Sequence, residues 1–388
     1  MWRARSNESV STEIWGEMTE RVPVFISAGD PSGDIAGSHL ITKLAEADSR
    51  LAFIGLGGHR MRAAGQGQLI DGDALAVLGF WEVARKYFFF KRLMNDTIDL
   101  IKRERPRAVI LIDYPGFNLR LAERVKPLGI PIIYYISPQI WAWGGKRINQ
   151  IKRLVDMMLV ILPFETDMYD SAGVPNRFVG HYLLDDMDPA FIKAPYDDRS
   201  DLIVLMPGSR PQEVHRMLPT LLDAADSIAR TGSYRFVVAG VQGNIDYASY
   251  PGRRESGIEV VVGKTRELVA QSRLVITSSG TATLETGIIG RPMIILYKTG
   301  LLTYLIARRL VKIDHIGLIN IAAGEKIVPE LIQGDATAGR ITAQATRFLN
   351  DKDLSKGVVG KLNATVDRLG GPGAAERAAD AIRELVSC

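Results

Sequence analysis

The sequence lacks the features that mark several classes of protein. Its 388 residues include one cysteine and five histidines, so a disulfide framework is excluded, and no zinc-site spacing occurs. No apolar run approaches the roughly 20 residues of a membrane-spanning helix. The net charge of +4 is small, and there is no signature of a nucleic-acid-binding module. Neither half carries G-x-G-x-x-G after its first strand, which disfavours a dinucleotide-dependent dehydrogenase.

The composition is that of a folded protein of about two domains, with 46% hydrophobic and 24% charged residues. Residues 1–20 lack the apolar stretch of a signal peptide, so we expect a poorly ordered N-terminal extension. We expect one domain over 21–185, a polar linker over 186–200 and a second domain over 201–365. A C-terminal helix over 366–388 follows, which we expect to pack back on the N-terminal domain.

Apolar, β-branched runs alternate with helical stretches in both predicted domains. The first domain begins with a predicted strand over 22–28, and the pattern restarts at 202–206. This alternation predicts two α/β domains, each with a parallel sheet covered by helices on both faces. Ligands bind such sheets beyond the carboxyl ends of the strands, so the loops there are the candidate sites.

Residues 274–292 have the pattern of an anion-binding turn. The first four residues predict a buried strand, from which Ser279, Gly280 and Thr281 lead into a helix. Backbone N–H groups and the helix dipole favour a phosphate at such a helix start. Glu285, about one turn further on, is suited to accept hydrogen bonds from a ribose diol. An ordinary strand-to-helix turn with a solvated glutamate gives the same pattern, so both interpretations stay open.

Asp113 is the candidate catalytic base. It follows the apolar run 108–112, so its carboxylate lies at the carboxyl end of a predicted strand, and Pro115 stiffens the turn. A hydroxyl group needs such a base because it is a poor nucleophile until it loses its proton. Capping of the next helix is the other interpretation, for which Asn118 is better placed. Asp30 is the next candidate for the base.

Seven short motifs occur in order along the chain. They are SAGDPSGD at 27–34, IDYPGFN at 112–118, SPQIWAW at 137–143, LPFE at 162–165, VGH at 179–181, MPGSRPQEV at 206–214 and SSGTATLE at 278–285. Together they closely resemble the lipid-A-disaccharide synthase family, from about residue 22 to the last helix. The resemblance implies the GT-B fold, in which two doubly wound, Rossmann-like domains face each other across a cleft.

The resemblance also implies a reaction and a location. The reaction is an inverting transfer of 2,3-diacylglucosamine from UDP to the 6-hydroxyl of 2,3-diacylglucosamine 1-phosphate, which releases UDP. The location is the cytoplasmic face of a Gram-negative inner membrane, as a peripheral protein without a nucleic-acid partner. A homodimer stays open, as does packing of the C-terminal helix on a neighbouring subunit. The family usually carries Glu where this chain has Asp30.

The resemblance further implies which residues form the site. The donor-side residues, expected to bind the UDP-sugar, are Arg210, Ser279, Gly280, Thr281, Glu285 and Asn320. The acceptor-side residues, expected to line the cleft, are Ser32, Asn118, Ser137, Gln139, Trp141 and His181. Three of these have a plainer interpretation: Arg210 as a surface arginine, Trp141 as packing, and His181 as the satisfied side chain of a buried turn.

Two D-x-D patterns, at 71–73 and 186–188, resemble the metal-binding pairs of other glycosyltransferases. Neither follows a buried strand of the pattern, so we interpret both as loops. We therefore expect no metal and no other cofactor, with a helix start and an arginine stabilising the leaving UDP instead.

An aromatic, basic stretch over 79–94 is predicted to contact a membrane or acyl chains. Aromatic rings suit the bilayer interface, and interleaved basic residues suit anionic lipid. The aromatic residues are Phe80, Trp81, Tyr87, Phe88, Phe89 and Phe90. A core helix with a solvated basic face is the other interpretation, but three consecutive phenylalanines are not expected to face one core.

Other functions stay open at this stage. The enzyme alternatives are a UDP-sugar epimerase of the same build and a glycosyltransferase with a soluble acceptor. The non-enzyme alternative is a nucleotide-sugar sensor that has lost the chemistry, against which the presence of Asp113 argues.

Overall fold

The computed structural model describes residues 21–69, 83–143, 147–241, 245, 247, 258–300 and 314–386, with the backbone alone at 83–87 and 143. These residues form two compact units. The first contains the chain up to 140, residues 144–186 and the chain from 372 onward, and the second contains 141–143 and 187–371. The predicted N-terminal extension, 1–20, lies outside the described residues.

The first unit is built on a seven-stranded parallel sheet. Its strands are β1 (Val22–Ala28), β2 (Leu51–Leu56), β3 (Gly67–Gln68), β4 (Val109–Ile112), β5 (Ile132–Tyr135), β6 (Met157–Val160) and β7 (Asn176–Phe178). Their spatial order is β3-β2-β1-β4-β5-β6-β7. Every residue of β4 and β5 is buried, as expected for strands covered by helices on both faces.

The helices of the first unit connect these strands. They are α1 (Pro31–Ala47), α2 (His59–Ala63), α3 (Val83–Glu104), α4 (Pro115–Val125), α5 (Ile140–Trp143, grouped with the second unit from residue 141), α6 (Arg147–Leu154), α7 (Phe164–Ala172) and α8 (Leu183–Asp186), with a 3₁₀ turn at Lys126–Leu128. Residues 31–34 form the first turn of α1, because Asp30 caps that helix and Pro31 fits its first position.

The second unit is built on a six-stranded parallel sheet. Its strands are β8 (Leu202–Met206), β9 (Arg235–Gly240), β10 (Glu259–Val262), β11 (Leu274–Ser278), β12 (Met293–Tyr297) and β13 (Glu330–Ile332), in the order β10-β9-β8-β11-β12-β13. Its described helices are α9 (Pro211–Ala229), α10 (Thr265–Gln271), α11 (Thr281–Ile289), α12 (Leu318–Ala323), α13 (Ala338–Asn350) and α14 (Lys352–Asp367), with 3₁₀ turns at Pro189–Phe191 and Gln333–Asp335.

The last helix, α15 (Ala374–Val386), belongs to the first unit. The Asp185 carboxylate accepts hydrogen bonds from the backbone N–H groups of Gly373, Ala374 and Ala375, at 2.6, 3.2 and 2.8 Å. These bonds satisfy donors at the start of α15 and place a negative charge at its positive end.

The predicted linker, 186–200, is held largely by the second unit. The Lys193 N–H donates to the Ile288 carbonyl at 2.8 Å. The guanidinium of Arg291, which is 1% exposed, donates to the carbonyls of Ala194 and Pro195 at 2.8 Å. The segment is therefore ordered by specific contacts, although its composition is polar.

Candidate functional site

Each sheet has one point at which its strand order reverses. In the first unit the chain forms β1, β2 and β3 in one direction and then returns to add β4 on the other side of β1. In the second unit the same reversal falls between β8 and β11. Loops diverge to opposite faces at such switch points and leave a crevice beyond the strand ends. The motifs at 27–34 and 112–118 flank the first switch point, and those at 206–214 and 278–285 flank the second.

Asp113 and Asp30 come together at the switch point of the first unit. The pKa of Asp113 is raised to about 7, first by burial and then by the adjacent charge of Asp30. A hydrogen bond with the Asp30 carboxyl group also raises it. At neutral pH, Asp113 is thus poised between its protonated and ionised forms.

The backbone that carries Asp113 has an uncommon conformation. Asp113 and Tyr114 both have positive φ angles, 42° and 47°. Non-glycine residues rarely adopt the left-handed region, so the surrounding structure must hold them there. The Tyr134 hydroxyl donates to the Asp113 carbonyl at 2.7 Å, and the Tyr114 ring lies so close to Gly29 that a Cβ at that glycine would be 2.3 Å from it.

Asn118 is fully buried in the first turn of α4. Its Nδ2 donates to the carbonyls of Asp113 at 2.8 Å and Ile112 at 3.1 Å, and its Oδ1 accepts from the Ser27 hydroxyl at 2.8 Å. The expectation that Asn118 caps the helix is wrong, since the cap position is Tyr114 and no side chain caps there. The amide joins the two loops of the switch point instead of lining an open surface.

The other acceptor-side residues differ in what they offer a ligand. Ser137 is buried and its hydroxyl lies 2.8 Å from that of Tyr169. His181 is buried, its Nδ1 accepts from the Leu183 N–H at 3.3 Å, and burial lowers its pKa to about 3. Both side chains therefore serve the fold. The remaining three are more accessible: Gln139 is exposed, and Ser32 and Trp141 are half-buried.

On the donor side, the loop after β8 is shaped by Gly208 and Glu213. Gly208 has a φ of 114°, and a Cβ there would lie 2.7 Å from the Glu213 carboxylate. Glu213 accepts from the Arg210 backbone N–H at 3.4 Å and pairs with its guanidinium at 2.8 Å. The Arg210 side chain, 80% exposed, is available to a ligand anion.

The loop after β11 delivers Ser279 and Gly280 to the start of α11. Gly280 has a φ of 130°, and among the described residues, its two chain neighbours apart, no atom lies within 4 Å of where its Cβ would be. The helix beginning at Thr281 directs its first N–H groups and its positive end toward this open position. Strands β8 and β11 pair directly, with Met206 opposite Thr277, so the two donor-side loops emerge side by side.

Glu285 and Asn320 have partners that the sequence did not predict. Glu285 Oε1 pairs with the Arg266 guanidinium at 2.8 Å, so the carboxylate is not simply solvated. Asn320 is fully buried: its amide nitrogen donates to Val328 and Glu330, and its oxygen accepts from Val328 and a neighbouring N–H. Asn320 therefore orders the segment before β13 and offers a ligand no spare hydrogen bond. Partners this distant in sequence leave no local signal.

The aromatic stretch is only partly as expected. In α3, Phe88 is 70% exposed, whereas Phe89 and Phe90 pack against the core with their ring centroids 5.5 Å apart. We expected that the three phenylalanines would not all face one core. Only Phe88 faces away from it, and the other two share it. Phe80 and Trp81 lie outside the described residues, as does the side chain of Tyr87. Among the described helices, none has the length and apolar character needed to cross a membrane.

Both aspartates of the second D-x-D pattern, at 186–188, have partners within the protein. Asp186 pairs with Arg60 at 2.9 Å and lies 3.4 Å from the His39 ring, and Asp188 caps a 3₁₀ turn. Within the described ranges, no cluster of three metal-ligating side chains occurs. The pattern at 71–73 lies outside them.

Solved structures with this fold define its class. A calicheamicin glycosyltransferase, CalG4, aligns with a TM-score of 0.58 at 14% identity, covering 96% of this chain and 100% of that one. The UDP-GlcNAc 2-epimerase from Neisseria meningitidis, bound to UDP-GlcNAc, aligns with a TM-score of 0.58 at 11% identity, covering 95% and 100%. The two doubly wound units thus have the GT-B fold that glycosyltransferases share with such epimerases, and the fold-class prediction is confirmed.

Sequence comparison gives the family within that class. The family model described as lipid-A-disaccharide synthetase matches residues 24–379. The lipid-A-disaccharide synthase of Trichlorobacter lovleyi is 41% identical over 94% of this chain and 97% of its own length, and that of Geobacter metallireducens is 38% identical with the same coverage. The chain belongs to the lipid-A-disaccharide synthase family, and is therefore a glycosyltransferase of lipid A disaccharide synthesis.

Proposed function

We propose that this protein transfers 2,3-diacylglucosamine, with inversion, from UDP to the 6-hydroxyl of 2,3-diacylglucosamine 1-phosphate. The products are the β-1,6-linked lipid A disaccharide 1-phosphate and UDP. The single observation that carries the proposal is the Asp113–Asp30 carboxyl pair at a switch point, with the pKa of Asp113 at about 7. A base is most effective when its pKa lies near the working pH.

In the proposed step, the Asp113 carboxylate accepts the proton of the acceptor 6-hydroxyl. The oxygen attacks the anomeric carbon of the donor from the face opposite UDP, while the bond between that carbon and the diphosphate breaks. The electron pair of the broken bond leaves with UDP, which needs no protonation. One displacement on one carbon inverts its configuration, so a single base is sufficient.

The donor is proposed to bind the second unit through its diphosphate. The exposed Arg210 side chain and the start of α11 at Gly280 emerge from paired strands, so positive charge and N–H donors are next to each other. The free oxygen of Glu285 is proposed to accept from the ribose, while Arg266 holds the other oxygen. The partners of Asp186 and Asp188 support a mechanism without a metal at that segment.

The acyl chains of both substrates place the proposed reaction at the cytoplasmic face of the inner membrane, with the protein bound peripherally. The exposed Phe88 of α3 supports this location. We expect Phe88→Ser to lower binding to anionic liposomes several-fold without changing the melting temperature. Phe90→Tyr, a partly buried position on the same helix, is the control. Equal binding by Phe88→Ser and the wild type would contradict membrane contact at this residue.

The decisive experiment identifies the product by mass spectrometry. UDP-2,3-diacylglucosamine is supplied alone, with 2,3-diacylglucosamine 1-phosphate, or with a soluble sugar acceptor, each in EDTA and again with Mg²⁺. The expected result is a disaccharide 1-phosphate and UDP that require the acceptor and persist in EDTA. Acceptor-independent conversion of the donor would favour an epimerase, turnover of a soluble sugar acceptor alone would favour another transferase, and binding without turnover would favour a sensor. Restoration by Mg²⁺ alone would refute the metal-free mechanism.

A further inference from the structure

The ladder between β1 and β4 ends before it reaches the two carboxylates. The last paired residues are Ala28 and Ile112. Asp113 follows one residue beyond this pair and Asp30 two residues beyond it. Beyond this pair, the Asp30 carboxylate accepts from the Gly33 N–H at 2.6 Å and the Asp113 N–H donates to the Tyr135 carbonyl at 3.0 Å. Neither bond joins the two acidic loops to each other, so a link between them requires another interaction.

Asn118, in the first turn of α4, supplies that interaction. One buried side chain bonds the β1 side through Ser27 and the β4 side through the carbonyls of Ile112 and Asp113. Nδ2 also lies 3.4 Å from the Ser27 carbonyl, a longer contact to the same strand. A carboxamide can both donate and accept, which is what a link between a hydroxyl and several carbonyls requires.

We infer that Asn118 is a positioning residue: it is anchored on β1 through Ser27, holds the Asp113 carbonyl, and so sets the position of the Asp113 carboxyl group relative to Asp30. The inference rests on the proposed function for its kinetic consequence, but the positioning itself is a property of the first unit. Asn118 touches no substrate in this role, and its effect passes through Asp113.

The carbonyl of Asp113 is held from two directions. Asn118 Nδ2 and the Tyr134 hydroxyl both donate to it, at 2.8 and 2.7 Å. Because Asp113 has a positive φ, these donors maintain a peptide orientation that the residue would not adopt alone. Loss of the Asn118 bonds leaves the Tyr134 bond, so we expect a shifted carboxylate and not an unfolded loop.

The groups that face the Asp113 carboxyl determine the direction of the expected change. Asp30 faces it from the loop after β1, Tyr114 is adjacent in its own loop, and Tyr134 approaches from β5. Beyond Tyr134 lie Tyr169 of α7 and the cation of Arg147. Of these groups, Asp30 raises the pKa of Asp113 by its charge and by its hydrogen bond. Separation of the two carboxyl groups therefore lowers that pKa.

The test compares Asn118→Ala and Ser27→Ala with the wild type. Ser27→Ala removes the hydroxyl bond to Asn118, and it leaves the longer contact to the Ser27 carbonyl and the bonds of Asn118 to β4. It therefore decides the question if Asn118→Ala does not fold. Leu121→Ala is the matched control, since Leu121 is a buried core residue on the same helix. We expect Leu121→Ala to lower stability while the hydrogen bonds of Asn118 stay in place.

We expect the acid limb of the kcat/KM profile, near pH 7 in the wild type, to move down by about one pH unit in both variants. We expect kcat to fall on the order of 10-fold or more, with the KM for the UDP-donor nearly unchanged. In Leu121→Ala, the acid limb of the kcat/KM profile should stay at its wild-type pH. The inference would be overturned if the acid limb of Asn118→Ala and Ser27→Ala stayed at the wild-type pH and their activity fell only in proportion to the amount of folded protein.

A titration of the Asp113 carboxyl by ¹³C NMR separates this inference from the proposed function. The measurement needs no turnover, so a fall in the Asp113 pKa in Asn118→Ala or Ser27→Ala supports positioning even if the substrates are other than proposed. An unchanged pKa in both variants refutes positioning even if the wild type makes the disaccharide.

Discussion

At the scale of single residues, the ionised form of Asp113 that a catalytic base requires is the form that destabilises the fold. Its folded-state pKa of about 7 lies above the ordinary aspartate value of 3.8. The folded protein therefore binds this proton more tightly than the unfolded chain, so the associated stability is complete below pH 3.8 and is lost as the pH rises through 7. The lost stability amounts to at most about 4 kcal/mol, because each pKa unit corresponds to 1.36 kcal/mol.

We expect Asp113→Asn to stabilise the fold at pH 8 and to have almost no effect at pH 4, because the amide cannot ionise. Thermal unfolding at the two pH values measures this difference, and turnover should fall at least 10²-fold in the same variant. Asp99→Asn, on the outer helix α3, is the control. A melting temperature that drops at pH 8 would show that Asp113 is not held in the unfavourable environment described.

For His181 we expect the opposite pH dependence of stability. Burial lowers its pKa to about 3, so the fold binds fewer protons than the unfolded chain. Its contribution to stability is complete above pH 6.5 and is lost as the pH falls toward 3. We expect His181→Asn, which retains an acceptor for the Leu183 N–H, to flatten the decline of stability between pH 6.5 and 4. His59→Asn, at an exposed ring, should leave the wild-type slope unchanged, and equal slopes in all three proteins would contradict the prediction.

At the scale of elements, the loop between β8 and α9 depends on a glycine. Gly208→Ala places a Cβ 2.7 Å from the Glu213 carboxylate at a φ of 114°, so the loop must rearrange. We expect lower stability and UDP affinity reduced roughly 10-fold by calorimetry. Gly339→Ala, in α13 with open space around it, should instead stabilise by about 0.5–1 kcal/mol. Wild-type UDP affinity in Gly208→Ala would remove this loop from the donor site.

The sequence predicted strands and helices better than the roles of single side chains, because strand signals are local and side-chain partners are often distant in sequence. The strand 274–277 is almost the observed β11, because a short β-branched run bounded by small residues is a local signal. The role of Asn118 could not be predicted, since its partner Ser27 lies 91 residues away. The same holds for Asn320 and Ser137, whose polar atoms proved to be used by the fold. Sequence identifies the loop that carries the chemistry, but only packing shows which side chains face inward.

At the scale of the whole molecule, the two units predict separate responses to ligand. We expect UDP alone to slow amide hydrogen exchange at 207–213 and 279–285 in the second unit. Exchange at 27–34 and 112–118 in the first unit should stay unchanged, and α14 serves as an internal reference. The reason is that a ligand stabilises what it contacts. Protection confined to the first unit would reverse the assignment of the donor site.

The position of α15 has a consequence for synthesis on the ribosome. This helix is made after the whole second unit, yet Asp185 caps it and it packs in the unit whose strands are made first. Domains generally fold as units while the chain emerges, N-terminal ones first. Here the first unit must wait with an uncovered surface until the whole second unit has been translated. The uncovered surface of the first unit is therefore open to aggregation while residues 187–371 are translated, and a chain that lacks α15 would be damaged in the unit that is made first.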